Sequence, residues 1–398
     1  MPHIEKPDRI AIVDALRGFA LLGLFLIHSI EYFELYWRNP EPSVVHDVLF
    51  FLFSGKAYAV FAMLFGLSFF IIMDRQARRG ADFSGRFLWR LTILFALGYL
   101  HGLLYDGDVL QVLALLGFML VVVNRFGNGV VFMLSLLCVA QLPILFRYIG
   151  ALAGQPGPSG PPLDSILFPQ AMEVFANGTL AEVIRFNAWD GQLTKWSFML
   201  NSGRLLQLTG MFMWGLLLGR IGFFERPADY QRQRNRGLVL AFAVALVLYV
   251  LKAYIEAQTV TVLSPNALSK QSLAQLLDNY FAAAAVAFGV LLFTTVYQAT
   301  LLRRLQDLLA PGGRMSLTMY VSQAVLCVPL YYGFGLGLYA TIGQPVALLL
   351  GIVMFSLQLA FAHWWLRRYH YGPLEWLWRS ATYLTLNVPL RRTATAAA

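Results

Sequence analysis

Long apolar segments alternating with short arginine-rich clusters constrain this chain more than any other feature. Segments near residues 10–33, 47–73, 86–105, 108–124, 128–149, 199–222, 237–257, 273–300, 313–334 and 343–367 are each about 17 to 28 residues long, enough to cross a bilayer with some tilt. They predict an all-α polytopic bundle of about ten transmembrane helices whose first partner is the lipid bilayer. With 58% hydrophobic and 13% charged residues, a water-soluble fold is excluded.

The basic residues fall on alternate sides of these segments. Arg75, Arg78, Arg79 and Arg86 share one side with Arg125, Arg220, Arg232, Arg303, Arg314 and Arg367, and the positive-inside rule makes that side cytoplasmic. Both termini are then cytoplasmic, and Glu31, Glu34, Asp106 and Asp108 lie outside. The net charge of +9 therefore reports topology, not a nucleic-acid partner. Residues 1–9 carry Glu5, Lys6, Asp8 and Arg9, and no small-residue cleavage pattern follows the first apolar segment, so that segment is expected to remain as a span.

The organisation reads as a five-helix front half over 1–149, an extracytoplasmic loop over 150–198, a five-helix back half over 199–369 and a cytoplasmic tail over 370–398. The loop opens with Gln155-Pro-Gly-Pro-Ser-Gly-Pro-Pro162, which is not helical, and Leu180, Val183, Ile184 and Phe186 predict an amphipathic helix on the outer surface. No internal repeat or broken helix is legible. Cys138 and Cys327 both sit in apolar runs and form neither a disulfide framework nor a cysteine metal site. His363 and His370 lack an acidic partner, and no metal is expected.

Ionisable residues within spans are costly and mark the places to seek function. In the first span Asp14 and Arg17 are neighbours on one helix face, and His28 returns to within about 40° of that face roughly 21 Å along the axis. The pair either anchors the helix end or opens a polar stripe that His28 closes; His28 itself is either a hydrogen-bonded core histidine or a working group. The third span repeats the pattern with Arg86, Arg90 and His101. Two arginines at a membrane boundary suit a polyphosphate, because guanidinium groups bind phosphate oxygens in a bidentate fashion, and they suit plain anchoring equally. Asp106, Asp108 and Gln111 form an outer turn that is either solvated or binds a sugar hydroxyl or cation. Arg204 enters the sixth span, and Arg314, Thr318 and Gln323 open the ninth, as candidates to complete a polar cavity. Ser54-Gly55-Lys56 lacks the glycines and strand context of a nucleotide-binding loop.

Five stretches together resemble the YeiB-like family, domain of unknown function 418: Asp14-Ala-Leu-Arg-Gly-Phe-Ala20, Gly55-Lys56 with Leu64-Phe-Gly66, Gly107-Asp-Val-Leu110, Gly313-Arg-Met-Ser-Leu-Thr-Met-Tyr320 and Gly372-Pro-Leu-Glu-Trp-Leu-Trp-Arg379. The resemblance covers most of the chain outside the long loop. The family in turn resembles the transmembrane acyltransferases, among them the acyltransferase-3 enzymes and heparan glucosaminide acetyltransferase, which move acyl groups from a cytoplasmic donor to extracytoplasmic sugars. The usual YeiB-like pattern has asparagine at the position of His28. Acyltransferase-3 enzymes have an arginine and a histidine separated by ten residues, the spacing of Arg17 and His28. Arg86 and Arg90 have three residues between them where the acyltransferase-3 pattern has two.

The resemblance implies a multi-pass protein of the bacterial cytoplasmic membrane that moves an acyl group from acyl-coenzyme A, acetyl-coenzyme A included, to an envelope glycan. Arg17, Arg86 and Arg90 would dock the donor, His28 would act as general base and Asp14 would orient Arg17. The other reading is a proton-coupled transporter or flippase using His28 and His101, which the lack of legible broken helices disfavours. A scaffold in an envelope complex is the third, and it predicts no ligand.

Overall fold

The computed structural model describes residues 10–157, 160–258, 262–300 and 302–392. Residues 1–9, and Pro158 and Ser159 of the proline-rich stretch, lie outside the described residues. The described residues form sixteen α-helices and no sheet. The front half comprises α1 (Ala11–Ile30), α2 (Val44–Phe53), α3 (Ala57–Ala77), α4 (Ser84–Gly102), α5 (Leu110–Val123), α6 (Asn128–Val139) and α7 (Leu142–Leu152). The long loop holds α8 (Leu163–Asn177) and α9 (Leu180–Asn201). Then come α10 (Arg204–Arg220), α11 (Gln231–Ala257), α12 (Ala267–Gln298), α13 (Arg303–Arg314), α14 (Ser316–Tyr331), α15 (Gln344–Arg368) and α16 (Pro373–Tyr383).

Five stretches are long and apolar enough to cross a membrane: Ala11–Arg38, Val44–Ala77, Gln231–Ala257, Ala267–Gln298 and Gln344–Arg368. A sixth is counted if α6 and α7, bent by 43°, form one span. Leu110–Val123 and Ser316–Tyr331 are apolar but shorter. On α11 and α15, Leu240 and Val247 are each 65% exposed and Leu349 and Leu357 each 61%. Such broad aliphatic faces are tolerable in lipid and not in water.

Two predicted spans are interrupted, although α2 and α3 together remain one stretch able to cross. Residues 47–73 divide into α2 and α3 at Ser54-Gly55-Lys56, where Gly55 has φ +71°. Residues 128–149 divide at Gln141, which has φ 54°, and Pro143 stands in the first turn of α7 where its missing N–H costs nothing. Ser54-Gly55-Lys56 and Gln141-Leu-Pro143 were the available signals, short polar or helix-breaking steps inside otherwise apolar runs.

The predicted amphipathic segment is the start of the 22-residue α9, whose N-terminus is closed by a capping box between Thr179 and Glu182. The tail read from 370 onward contains α16, which packs on α4 and α14.

Helix α1 runs through the centre, in contact with α3, α13, α14 and α15. Its approach to α13 requires glycine on both sides. A Cβ on Gly313 would stand 1.8 Å from the Asp14 carbonyl oxygen, and one on Gly18 would stand 2.1 Å from that of Leu309. Small residues bring the backbones together here, the usual route to tight helix packing in lipid, and the result delivers Arg314 to the side of Arg17.

Candidate functional site

Two polar centres lie at opposite ends of α1. At its N-terminal end is a cavity of about 330 Å³, lined by Asp14 and Arg17 of α1, Arg75 of α3, Arg90 of α4, Arg314 of α13, and Glu375, Trp378 and Arg379 of α16, with Phe65 and Phe69 among its apolar walls. Arg17 donates to Asp14 Oδ1 at 2.9 Å and to Ser68 Oγ at 2.5 Å. The Arg90 guanidinium lies 3.7 Å from the Trp378 ring centre, while Trp378 Nε1 donates to the Arg90 carbonyl at 2.9 Å. Stacking on the indole holds the guanidinium plane without consuming its donors.

Glu375 fixes α16 in place. Its carboxylate accepts from the backbone N–H groups of Leu317 (2.8 Å) and Thr318 (3.1 Å) and from Thr318 Oγ1 (2.5 Å). A side chain from the tail thus satisfies the orphan donors at the start of α14 and places a negative charge at the positive end of its dipole. Burial pushes the Glu375 carboxyl above its ordinary range, against the lowering effect of these hydrogen bonds.

At the other end of α1, His28 Nδ1 lies 2.7 Å from Glu34 Oε1 and 2.9 Å from the Tyr105 hydroxyl, which donates to the same Glu34 oxygen at 2.7 Å. A proton on Nδ1 satisfies this arrangement and leaves the Nε2 lone pair available. Trp37 Nε1 donates to Glu31 Oε1 at 2.5 Å. The chain reverses here through three successive left-handed residues, Tyr32, Phe33 and Glu34 (φ 51°, 49° and 80°). That is a strained conformation for non-glycine residues, of the kind found at functional sites.

Adjacent to Tyr105 is a second pair, His101 Nδ1 with Asp108 Oδ1 at 2.8 Å, both side chains almost completely buried. The Gln111 N–H donates to Asp108 Oδ2 and the Gln111 amide donates to the Gly98 carbonyl. The Tyr320 hydroxyl accepts from the Val109 N–H at 3.1 Å. Burial, then the Glu34 charge, push the Asp106 carboxyl up to about 7.

Of the residues singled out from sequence, Arg17, Arg90 and Arg314 share the inner cavity. His28, His101, Asp106 and Asp108 share the outer centre, with Gln111 bracing Asp108. Arg86 is exposed and does not line the cavity; it turns toward the Tyr383 ring, 5.2 Å away. Arg204 stacks on Phe198 and Tyr58, Gln323 bonds Gln358 between α14 and α15, and Thr318 serves as an anchor for Glu375. Sequence reasoning passed over Arg75, Trp378 and Arg379 at the inner centre and Glu31, Glu34 and Tyr105 at the outer one. The Gly372–Arg379 motif was the available signal for α16.

Residues 218–385 match the family described as protein of unknown function DUF418. The chain is 26% identical over 411 residues to the uncharacterized protein YxaH of Bacillus subtilis, covering 95% of each chain. It is also 26% identical over 411 residues to the uncharacterized protein YeiB of Escherichia coli, covering 97% of this chain and 100% of the relative. The match over residues 218–385 places the back half of this chain in the DUF418 family. An uncharacterized 39.9 kDa protein encoded in the amylase 3' region of Bacillus acidopullulyticus is 25% identical over 395 residues, covering 96% of both. These matches over nearly the whole chain also cover the front half, where α1 and the outer centre's histidines lie.

Proposed function

We propose that this DUF418 protein is a membrane acyltransferase that takes an acyl group from cytoplasmic acyl-coenzyme A and passes it to an extracytoplasmic acceptor such as a glycan. The reading sets the chain in the bacterial cytoplasmic membrane with ten crossings and both termini inside, so that the arginine-lined end of α1 faces the donor and the His28 end faces the acceptor. The observation that carries it is the convergence of Arg17, Arg75, Arg90, Arg314 and Arg379 on one partly apolar cavity. Five permanent cations facing one space suit a diphosphate, and the phenylalanine and tryptophan walls suit the uncharged arm of such a donor.

In this scheme Glu34 holds the His28 imidazole and balances the charge it acquires, and His28 Nε2 takes the proton of the attacking hydroxyl or amine. Tyr105 fixes the Glu34 carboxylate. His101, Asp106, Asp108 and Gln111 shape the acceptor side.

The test is calorimetric titration of the protein in nanodiscs with acetyl-coenzyme A, longer acyl-coenzyme A species and coenzyme A. Saturable binding that is lost in Arg90→Ala/Arg314→Ala supports the donor site; no binding up to millimolar concentration sinks it. A second reading, transport, draws on the bent α6–α7 pair, because interrupted helices are a transporter device. Substrate-dependent flux in proteoliposomes without any transferred acyl group would decide for it.

A further inference from the structure

We propose that His28, Glu31 and Glu34 hold a divalent first-row metal ion, with zinc or manganese the best matched to one imidazole and two carboxylates. One candidate ligand atom from each residue lies within 4.8 Å of the others. Small side-chain rotations bring such a set to the separations of about 3 to 3.5 Å found between ligands around one ion. The spacing follows from the fold: His28 lies in the last turn of α1, and the left-handed turn that follows carries Glu31 and Glu34 back over it.

Two further observations point to a cation. Glu34 Oε2 is buried and has no hydrogen-bond partner, although its sister oxygen is fully engaged by His28 and Tyr105. A carboxylate oxygen left bare in a buried site is costly, and a metal ion is one of the few groups that satisfies it. The cluster is also short of positive charge. Glu31 is only 6% exposed, and among the described residues no lysine or arginine pairs with either glutamate. Arg204 stacks on Phe198 and Tyr58 and reaches Glu31 only as a charge through space, and Lys195 faces the neighbouring Asp106 and Asp108.

The inference rests on the outer cluster as the reacting end and reassigns one task there. His28, as a ligand, would hold the ion instead of acting as the base; the ion would polarise the acceptor oxygen as a Lewis acid, and the neighbouring Asp106 carboxylate would take the acceptor's proton. Glu31 gains a function that the acyl-transfer scheme alone does not give it.

The experiment is elemental analysis of the protein in nanodiscs, purified without chelator, followed by calorimetric titration of the chelator-stripped protein with Zn²⁺ and with Mn²⁺. One saturable site is expected, weakened at least a hundredfold in Glu31→Gln and in His28→Ala, with coenzyme A affinity unchanged in both as the check on folding. Glu34→Gln serves as a replacement if either variant is not monodisperse. Binding that is absent in the wild type, or undiminished in the variants, overturns the metal site whether or not coenzyme A binds. Metal binding with no coenzyme A binding leaves the metal site standing and removes the acyl-transfer reading.

Discussion

The two ends of α1 solve opposite electrostatic problems with one helix. At the N-terminal end five arginines converge, held apart by an indole, a serine and one aspartate. At the C-terminal end His28 stands among Glu31, Glu34 and Asp106, and Arg204 is the arginine whose charge reaches Glu31. Each end carries an excess of one sign, which neither a purely structural core nor a plain membrane anchor requires. On the proposed acyl-transfer reading each end would take a ligand of the opposite sign, and α1 sets their separation, about 21 Å from Asp14 to His28.

The largest blow to this polarity is Gly313→Val, because the added carbon has no room against the Asp14 carbonyl. Loss of the monodisperse folded protein in size-exclusion chromatography is expected. His28→Ala separates the ends: acyl transfer from labelled acetyl-coenzyme A to an envelope fraction should fall by about 10² to 10⁴ while donor affinity holds. Equal loss of both would mean that the ends are not independent. Arg90→Ala is the mirror experiment, expected to weaken coenzyme A binding by about 10 to 100-fold, the range of one charged hydrogen bond.

A smaller effect tests the outer excess of negative charge. Asp106 is ordinarily a 3.8 carboxyl and sits at about 7 in the fold, so between those values the folded state keeps a proton that the unfolded state has lost. Stability from this group is complete at low pH and is lost as pH rises through 7. The melting temperature in nanodiscs should therefore fall between pH 5 and pH 8, and Asp106→Asn should flatten that slope. Smallest of all, Arg86→Ala should change coenzyme A affinity by no more than about twofold, since an exposed cation contributes little; a large loss would move the donor site outward along α4.

The stripe of Asp14, Arg17 and His28 was legible because helical periodicity alone places those residues, and α1 is uninterrupted from Ala11 to Ile30. Glu34 was not, because it lies past the helix end in a turn built from left-handed tyrosine and phenylalanine, which no propensity favours. Arg86 and Arg90 looked equivalent at four-residue spacing. Only the docking of Trp378 distinguishes them, and that contact joins residues far apart in sequence. The apolar segments were readable as membrane helices, whereas the residues that interrupt them, Ser54-Gly55-Lys56 and Gln141-Leu-Pro143, are too few to change the hydropathy of the runs around them.

The position of α16 also orders events during biogenesis. The arginines of α1, α3 and α4 enter the bilayer early, but Trp378, Arg379 and the Glu375 clasp leave the ribosome roughly 350 residues after Arg17, about 20 to 70 s later at ordinary translation rates. Until then the nascent protein carries an open cationic groove with no wall on one side. On the acyl-transfer reading, affinity for a polyanion would therefore be acquired only once α16 has been made, and a chain released before residue 373 would be inserted, largely helical and unable to close that cavity.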